Sequence, residues 1–174
     1  TVEPFGLEDY ITGGGTALLD AVGDAITKAG ARFRAMSEDK RPAKVLFVII
    51  TDGEENSSTR YTLDRIKSMI SEQQERYRWQ FVFLGANQDA FQSAHNFGIY
   101  AWNTSNFSHT ATGVNNMYRS LASNVTSYRK DSADVVQCRG FFQQDVPYVD
   151  NSKRTGTSGN GPILNGTTGT CSNP

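Results

Sequence analysis

The apolar run over residues 45–50 limits the fold of this chain more than any other feature of its sequence. Every position in the run is aliphatic or aromatic, and the polar turn Thr51-Asp52-Gly53 follows it directly. A strand that is apolar on both faces belongs in the middle of a parallel sheet, where helices cover both faces. We therefore predict an interior strand of a parallel sheet that ends just before Asp52.

Helical and strand patterns alternate along the body of the chain. From Thr16 onward, for example, apolar side chains recur at steps of three and four residues, which is the periodicity of an amphipathic helix. The predicted helices cover residues 16–36, 63–77 with a start near Thr62, 89–97 with Gly98 as C-terminal cap, and 114–128. The predicted strands cover residues 45–50, 81–84 and 99–102. This alternation predicts an α/β fold, a Rossmann-like, doubly wound and mainly parallel sheet with flanking helices.

The size and charge of the chain exclude some classes of protein. Its 174 residues suffice for one ordinary domain. The 17 Lys and Arg residues against 18 Asp and Glu residues give a net charge of −1, without the basic excess that binding to nucleic-acid phosphates requires. A membrane span requires about 20 apolar residues, far more than the run over 45–50 provides. We therefore expect no nucleic-acid partner and no membrane span.

The composition changes after the last predicted helix. We assign residues 1–130 to the α/β domain and residues 131–174 to an extended C-terminal arm, whose end is rich in Gly, Thr, Asn and Ser. Such a polar segment cannot form a core layer alone, so we expect the arm to contact a protein partner or a neighbouring subunit. The alternative is that the arm folds back over its own domain, helped by a disulfide between Cys138 and Cys171. The sequence leaves open whether these cysteines are bonded.

The glycine-rich turn that ends in Gly15 and Thr16 lies at the mouth of the first predicted helix. Free backbone N–H groups and the helix dipole allow such a turn to hold an anion. No GxGxxG pattern or Lys-Ser/Thr ending accompanies it, and no convincing strand precedes it. The alternative is a tight turn in which Thr16 is the helix N-cap, and the turn taken alone favours this alternative.

Asp52 is the second candidate for a functional residue. Ligands of open α/β sheets bind at the carboxyl ends of the strands, which is where Asp52 is predicted to lie. A carboxylate in this position, followed by Glu54 and Glu55, suits a hard divalent cation with oxygen ligands. The alternative is that Asp52 only caps the turn that follows the strand. Asp52 alone does not distinguish these two interpretations.

The two histidines, His95 and His109, are the third candidates. A hydrolase triad would require a Ser or Cys nucleophile with a recognisable elbow or neighbouring base, and the sequence has none. We therefore expect both histidines to be surface or packing residues, and we predict no catalytic residue.

Several separated motifs resemble a von Willebrand factor A domain, most closely the small bacterial and bacteriophage members of that family. The motifs occur in the expected order at residues 13–21, 50–56, 81–90 and 106–107. The resemblance covers residues 10–130 and implies a Rossmann-like sheet that carries a metal-ion-dependent adhesion site. In that site a Mg²⁺-type ion is held by an Asp-x-Ser-x-Ser loop, a Thr of the glycine-rich turn and an Asp of the Thr-Asp-Gly turn.

Only Thr16 and Asp52 of this chain match the ligands that the resemblance implies. The Asp-x-Ser-x-Ser loop would lie before Thr1, so we expect an N-terminally truncated domain that lacks the family's first strand and helix. The chain begins with Thr rather than Met, which we interpret as a processed or truncated product. Loss of the first strand would expose the apolar edge of the strand at 45–50 to pairing with another chain. The implied cofactor is Mg²⁺, at a site that is incomplete here and is expected to bind the ion weakly.

The resemblance implies a non-enzymatic protein–protein binding or assembly module. In the family, an open coordination position of the metal takes a carboxylate of the partner. The polar arm suggests a subunit of a larger complex, and the likeness to bacteriophage members suggests a virion component. The alternative is an α/β enzyme that uses the glycine-rich turn and Asp52 for a phosphate- or metal-dependent reaction.

Overall fold

The computed structural model describes residues 14–86, 90–132 and 140–142 and, for the backbone alone, residues 163–164 and 171–172. The elements in chain order are α1 (Leu18–Ala35), β1 (Leu46–Thr51), α2 (Leu63–Tyr77), β2 (Gln80–Ala86), α3 (Ala90–Asn96), β3 (Thr104–Phe107), α4 (Ala111–Lys130), β4 (Ile163–Leu164) and β5 (Cys171–Ser172). Short 3₁₀ helices cover Glu38–Lys40 and Ala101–Asn103. The predicted α/β fold is confirmed, because three parallel strands alternate with flanking helices.

The three parallel strands lie in the order β1-β2-β3, so β2 is the central strand of the described sheet. The register places Leu46 opposite Gln80 and Phe83 opposite Thr104. The open edge that we expect at residues 45–50 agrees with the described sheet, in which β1 is an outer strand. The interior position that the apolar sequence alone predicts is wrong for this sheet. The reason is that apolar side chains indicate that both faces of a strand are covered, whereas backbone hydrogen bonds determine which strands lie beside it.

The third strand lies further along the chain than predicted. Residues 99–102 do not form a strand. Ile99 is buried in the core, and a 3₁₀ helix begins at Ala101. The rings of Tyr100 and Trp102 stack on each other with their centroids 4.5 Å apart, so the apolar content of this segment is used in packing. The polar sequence Thr104–Phe107 pairs with β2 instead.

Alternate residues of β2 point into two separate parts of the hydrophobic core. Phe81 and Phe83 belong to the cluster formed with α1, α2 and α3. Val82 and Leu84 point to the opposite face, where the cluster includes side chains of α4 and of Phe141 and Phe142. All residues of β2 are buried, as expected for a strand with helices on both faces. This two-sided packing of helices on a parallel sheet is consistent with the Rossmann-like α/β fold that the sequence predicts.

Most of the predicted helix ends are found where expected. The Thr62 side chain accepts a hydrogen bond from the backbone N–H of Arg65 and caps α2. Gly98 follows α3 with φ of +76°, a conformation that favours glycine. At the C-terminal end of α4, the Lys44 ammonium group donates to the carbonyl oxygens of Tyr128, Arg129 and Asp131. Lys44 thereby links the segment before β1 to the C-terminal end of α4.

Several predictions fall outside the described residues. They concern the segment before Gly14, most of the arm over residues 131–174, and the pairing of Cys138 with Cys171. Within the arm, β4 and β5 form an antiparallel pair in which Ile163 lies opposite Ser172. Across the described ranges, the structure has no helix long and apolar enough to cross a membrane.

Two glycines of α1 form a matched test of how closely α1 packs against the segment before α2. A Cβ on Gly23 would lie 2.6 Å from the Tyr61 ring, whereas a Cβ on Gly30 would have no atom within 4 Å. We expect Gly23→Ala to lower the free energy of unfolding by about 1–3 kcal/mol, because the ring must move. Gly30→Ala should raise it by up to about 1 kcal/mol, because alanine favours the helix. Urea denaturation measures both, and equal stability of the two variants would contradict the described packing.

Candidate functional site

The N-terminus of α1 is capped by a distant loop rather than by its own residues. The helix begins at Leu18, and Ala17 at the N-cap position provides no side-chain hydrogen bond. The backbone N–H of Leu19 donates to Glu55 Oε2 at 2.9 Å, and that of Asp20 donates to Ser58 Oγ at 3.0 Å. Side chains of the loop that follows β1 therefore satisfy the first turn of the helix. The interpretation of Thr16 as the N-cap of this helix is wrong.

The backbone of Thr16 is hydrogen-bonded to Asn56 in the loop after β1. Its N–H donates to Asn56 Oδ1 at 2.7 Å, and its carbonyl oxygen accepts from the N–H of Asn56 at 3.1 Å. These two bonds fix the glycine-rich turn against the loop after β1. Within the part of the chain that the structure describes, the Thr16 hydroxyl makes no hydrogen bond. The backbone bonds therefore fix where the Thr16 hydroxyl lies, and no described residue forms a hydrogen bond with it.

The Asp20 carboxylate anchors the end of the loop. It accepts hydrogen bonds from the N–H groups of Thr59, Arg60 and Tyr61 at 3.0, 2.9 and 2.9 Å. The Arg60 guanidinium adds an ion pair at 3.5 Å. The hydrogen bond from Thr59 is the largest cause of a lowered pKa for Asp20, and the other bonds outweigh the opposing effect of burial. Asp20 therefore holds the loop as a charged carboxylate.

Glu55 plays the same part at the other end of the loop. It accepts from the N–H groups of Leu19, Ser57 and Ser58, and also from the Ser58 hydroxyl at 2.8 Å. Burial raises the pKa of Glu55, but these hydrogen bonds outweigh it, so the net pKa lies below the usual value. A negative charge therefore already lies at the helix N-terminus, where a bound anion would be expected.

These anchors bring Thr16 next to Gly53, the residue that follows the other predicted metal ligand, Asp52. A Cβ on Gly53 would lie 2.9 Å from Thr16 Oγ1, so the Thr16 hydroxyl lies against the Cα of Gly53, directly after Asp52. Asp52 itself follows the last residue of β1, at the carboxyl end of the parallel sheet. Thr16 and Asp52 thus both lie at the edge of the sheet where α/β proteins bind ligands.

The Asp52 side chain does not form the turn after β1. Thr51 Oγ1 donates to the Gly53 carbonyl oxygen at 2.8 Å and accepts from the Gly53 N–H at 3.3 Å. Asp52 is exposed, and no residue in the described ranges makes a hydrogen bond or ion pair with its carboxylate. The alternative in which Asp52 only caps the turn is therefore not what the structure shows.

The donor atoms suit a hard divalent cation, but their number is small. Hydroxyl and carboxylate oxygens are the ligands that Mg²⁺ prefers, and the ion takes about six of them. Among the described residues, no cluster of three or more His, Cys, Asp or Glu side chains could hold a metal ion. Thr16 and Asp52 carry oxygen donors of the kind that such an ion prefers, but they are two donors where the ion takes about six.

The two histidines lie at the surface, as predicted. His95 is exposed in the last turn of α3. His109 is also exposed, and its ring stacks on that of Phe107 with the centroids 6.4 Å apart. Neither ring is part of the network that joins α1 to the loop after β1.

Asp20 and Glu55 are the site residues that the sequence did not reveal. The available signal was an acidic residue in the first turn of α1, which helices commonly carry because of their dipole. That signal does not show that Asp20 binds a loop some 40 residues away.

Comparison of this chain with protein-family models, curated proteins and solved structures gave no match. Function is therefore inferred from the motifs and from the geometry around Thr16 and Asp52.

The two anchoring carboxylates predict how stability depends on pH. Because the pKa values of Asp20 and Glu55 are lowered in the folded state, the folded protein binds fewer protons than the unfolded chain once the pH falls to about 4. The stability they contribute is complete above the unfolded pKa values and is lost as the pH falls through the folded values. We expect the urea midpoint to fall steeply below about pH 5.

Asp20→Asn and Glu55→Gln should lower the midpoint at pH 7 and flatten its acid dependence. Asp39→Asn is the matched control, because Asp39 is exposed and makes no hydrogen bond or ion pair with described residues. If Asp20→Asn kept the steep acid dependence of the wild type, the anchoring role of Asp20 would be contradicted.

Proposed function

We propose that this chain is a non-enzymatic protein–protein binding or assembly module of the von Willebrand factor A type, with Thr16 and Asp52 as two ligands of a divalent cation. One observation carries the proposal: the Thr16 hydroxyl lies against Gly53 beside Asp52, and both oxygen donors lack partners among the described residues. Glu55 and Ser58 cap α1, and Thr51 forms the turn after β1. Thr16 and Asp52 therefore have neither of these structural roles.

The chemistry of the site favours an acidic partner. A divalent cation supplies a positive charge with open coordination positions that a carboxylate of a partner protein can fill. Asp52 contributes the negative charge that holds such an ion, and Thr16 contributes a neutral oxygen. With one charged ligand in the described residues, a divalent ion keeps half of its positive charge for the partner.

The first turn of α1 argues against a phosphate-dependent enzyme. A phosphate bound at the glycine-rich turn would need free backbone N–H groups in that turn and in the first turn of α1. The N–H of Leu19 is already bound by the Glu55 carboxylate, whose charge would repel a phosphate. The Glu55 charge therefore disfavours the phosphate-dependent form of the enzyme alternative.

The outer edge of β1 supports a role in assembly. Within the described sheet β1 pairs only with β2, and Ile50 on β1 is 43% exposed. An apolar outer strand offers backbone N–H and C=O groups to an added strand of another chain. Strand addition at this edge would place the partner next to Asp52. The finer assignment, to a virion component, rests on the resemblance to bacteriophage members alone.

Isothermal titration calorimetry tests the two ligands. We expect Mg²⁺ and Mn²⁺ to bind this chain with a dissociation constant of about 1 mM or weaker, because Mg²⁺ dehydrates reluctantly for so few protein ligands. Asp52→Asn and Thr16→Ala should abolish the heat of binding, whereas Thr16→Ser, which keeps the hydroxyl, should retain it. Asp39→Asn is the control for loss of a surface charge.

Two results would overturn parts of this proposal. Micromolar affinity would show that the site is complete, and an unchanged titration of Asp52→Asn would remove Asp52 from the ligand set. Inorganic phosphate, titrated in the same way, is expected to give no heat. Phosphate binding below 1 mM that Glu55→Gln strengthens would favour the enzyme instead.

A further inference from the structure

Two aromatic residues of the predicted arm pack in the core of the domain. Phe141 and Phe142 are both buried, in the cluster on the α4 face of the sheet that also contains Val82 and Leu84 of β2. Their rings meet edge to face with the centroids 5.0 Å apart, and the Phe141 ring centroid lies 6.5 Å from that of Tyr128 in α4. A segment that the sequence assigns to the arm therefore buries two large apolar side chains.

The backbone of the same segment is hydrogen-bonded to the short 3₁₀ helix before β3. The N–H of Phe141 donates to Asn103 Oδ1 at 2.9 Å, and the N–H of Phe142 donates to the Trp102 carbonyl oxygen at 3.0 Å. A Cβ on Gly140 would lie 2.6 Å from the Trp102 side chain, so the two residues are in close contact. Hydrogen bonds and packing thus hold the segment in one position.

The segment lies at the amino edge of the parallel sheet. Asn103 directly precedes β3, and its Oδ1 also accepts from Nε2 of Gln80, the first residue of β2, at 3.3 Å. Because the strands are parallel, the starts of β2 and β3 lie at the same edge. Asp52 follows the last residue of β1 at the opposite edge, and the six residues of β1 span about 20 Å.

The segment covers the same apolar face of β2 as α4 does. Val82 and Leu84 are almost fully buried, and Met117 and Tyr128 of α4 are buried in the same cluster. Detachment of Phe141 and Phe142 would expose part of this cluster to water, at a cost in free energy that grows with the apolar area exposed. The contact therefore stabilises the domain as well as the start of the arm.

We propose that residues 140–142 form a strap that anchors the C-terminal arm to the amino edge of the sheet. The folded domain then extends to Phe142 rather than to Lys130, and the arm proper begins after Phe142. The start of the arm and the candidate cation site thus lie at opposite ends of the module. A partner that binds the start of the arm and a partner that binds a cation at Asp52 would meet different ends, and only this last step rests on the proposed function.

Amide hydrogen exchange in the full chain tests the strap directly, because the N–H groups of Phe141 and Phe142 make its hydrogen bonds. We expect both amides to exchange at least about 100-fold more slowly than in an unfolded chain. The Glu54 amide is the reference that should exchange fast, because Glu54 is exposed and its N–H makes no hydrogen bond to described residues. Equally fast exchange of Phe141 and Phe142 would overturn the strap, and would leave the cation site untouched because no metal is involved.

Phe142→Ala is the second test, with Phe91→Ala as its matched control. Phe142 is 4% exposed, whereas Phe91 on α3 is 45% exposed. We expect Phe142→Ala to lower the Tm by about 10 °C, because it removes a buried ring from the core. Phe91→Ala should change the Tm by less than about 2 °C. Equal Tm values for the two variants would overturn the proposal.

Nuclear Overhauser contacts test the position of the strap. Cross-peaks are expected between the Phe142 amide and Trp102, and between the rings of Phe141 and Tyr128. Cross-peaks from these residues to the turn after β1 instead would place the start of the arm at the edge of Asp52. That result would overturn the assignment of the arm and the cation site to opposite ends.

Discussion

The candidate site depends on two carboxylates that bind the loop after β1 to the first turns of α1. Asp20 reaches from the helix to three backbone N–H groups of the loop, and Glu55 reaches back from the loop to the helix. Because each accepts at least three hydrogen bonds as an anion, the junction is both specific and charged. Together with the two hydrogen bonds between the backbone of Thr16 and Asn56, this junction holds the glycine-rich turn against the loop after β1.

The sheet determines where this junction lies. The crossovers through α2 and α3 connect the three strands in parallel, and parallel pairing brings the carboxyl ends of β1 and β2 to one edge. Asp52 follows β1 at that edge, so the packing of the sheet determines where Asp52 lies. The junction between α1 and the loop after β1 determines where Thr16 lies. Glu55 also makes the helix N-terminus unsuitable for an anion. The same few contacts thus favour a cation and disfavour a phosphate.

The sequence predicts the elements whose pattern is local and misses those set by distant contacts. The helices α1, α2 and α4 follow from their apolar periodicity, and Thr62 and Gly98 mark helix ends by their side-chain chemistry. The strand β3 is polar, whereas the apolar segment before it places Ile99 in the core and stacks Tyr100 on Trp102 without forming a strand. Thr16 and Asp52 belong to recognisable motifs. Asp20 and Glu55 act across 36–41 residues, which leaves no local pattern.

Paramagnetic broadening by Mn²⁺ in ¹H–¹⁵N correlation spectra is the sharpest test of whether Thr16 and Asp52 form one cation site, because it locates even weakly bound ions. If they do, the amide signals of Thr16 and Gly53 lose intensity first, and Asp52→Asn abolishes this loss while Asp39→Asn does not. Broadening that begins elsewhere, or that persists at Thr16 and Gly53 in Asp52→Asn, would show that the two residues do not form such a site.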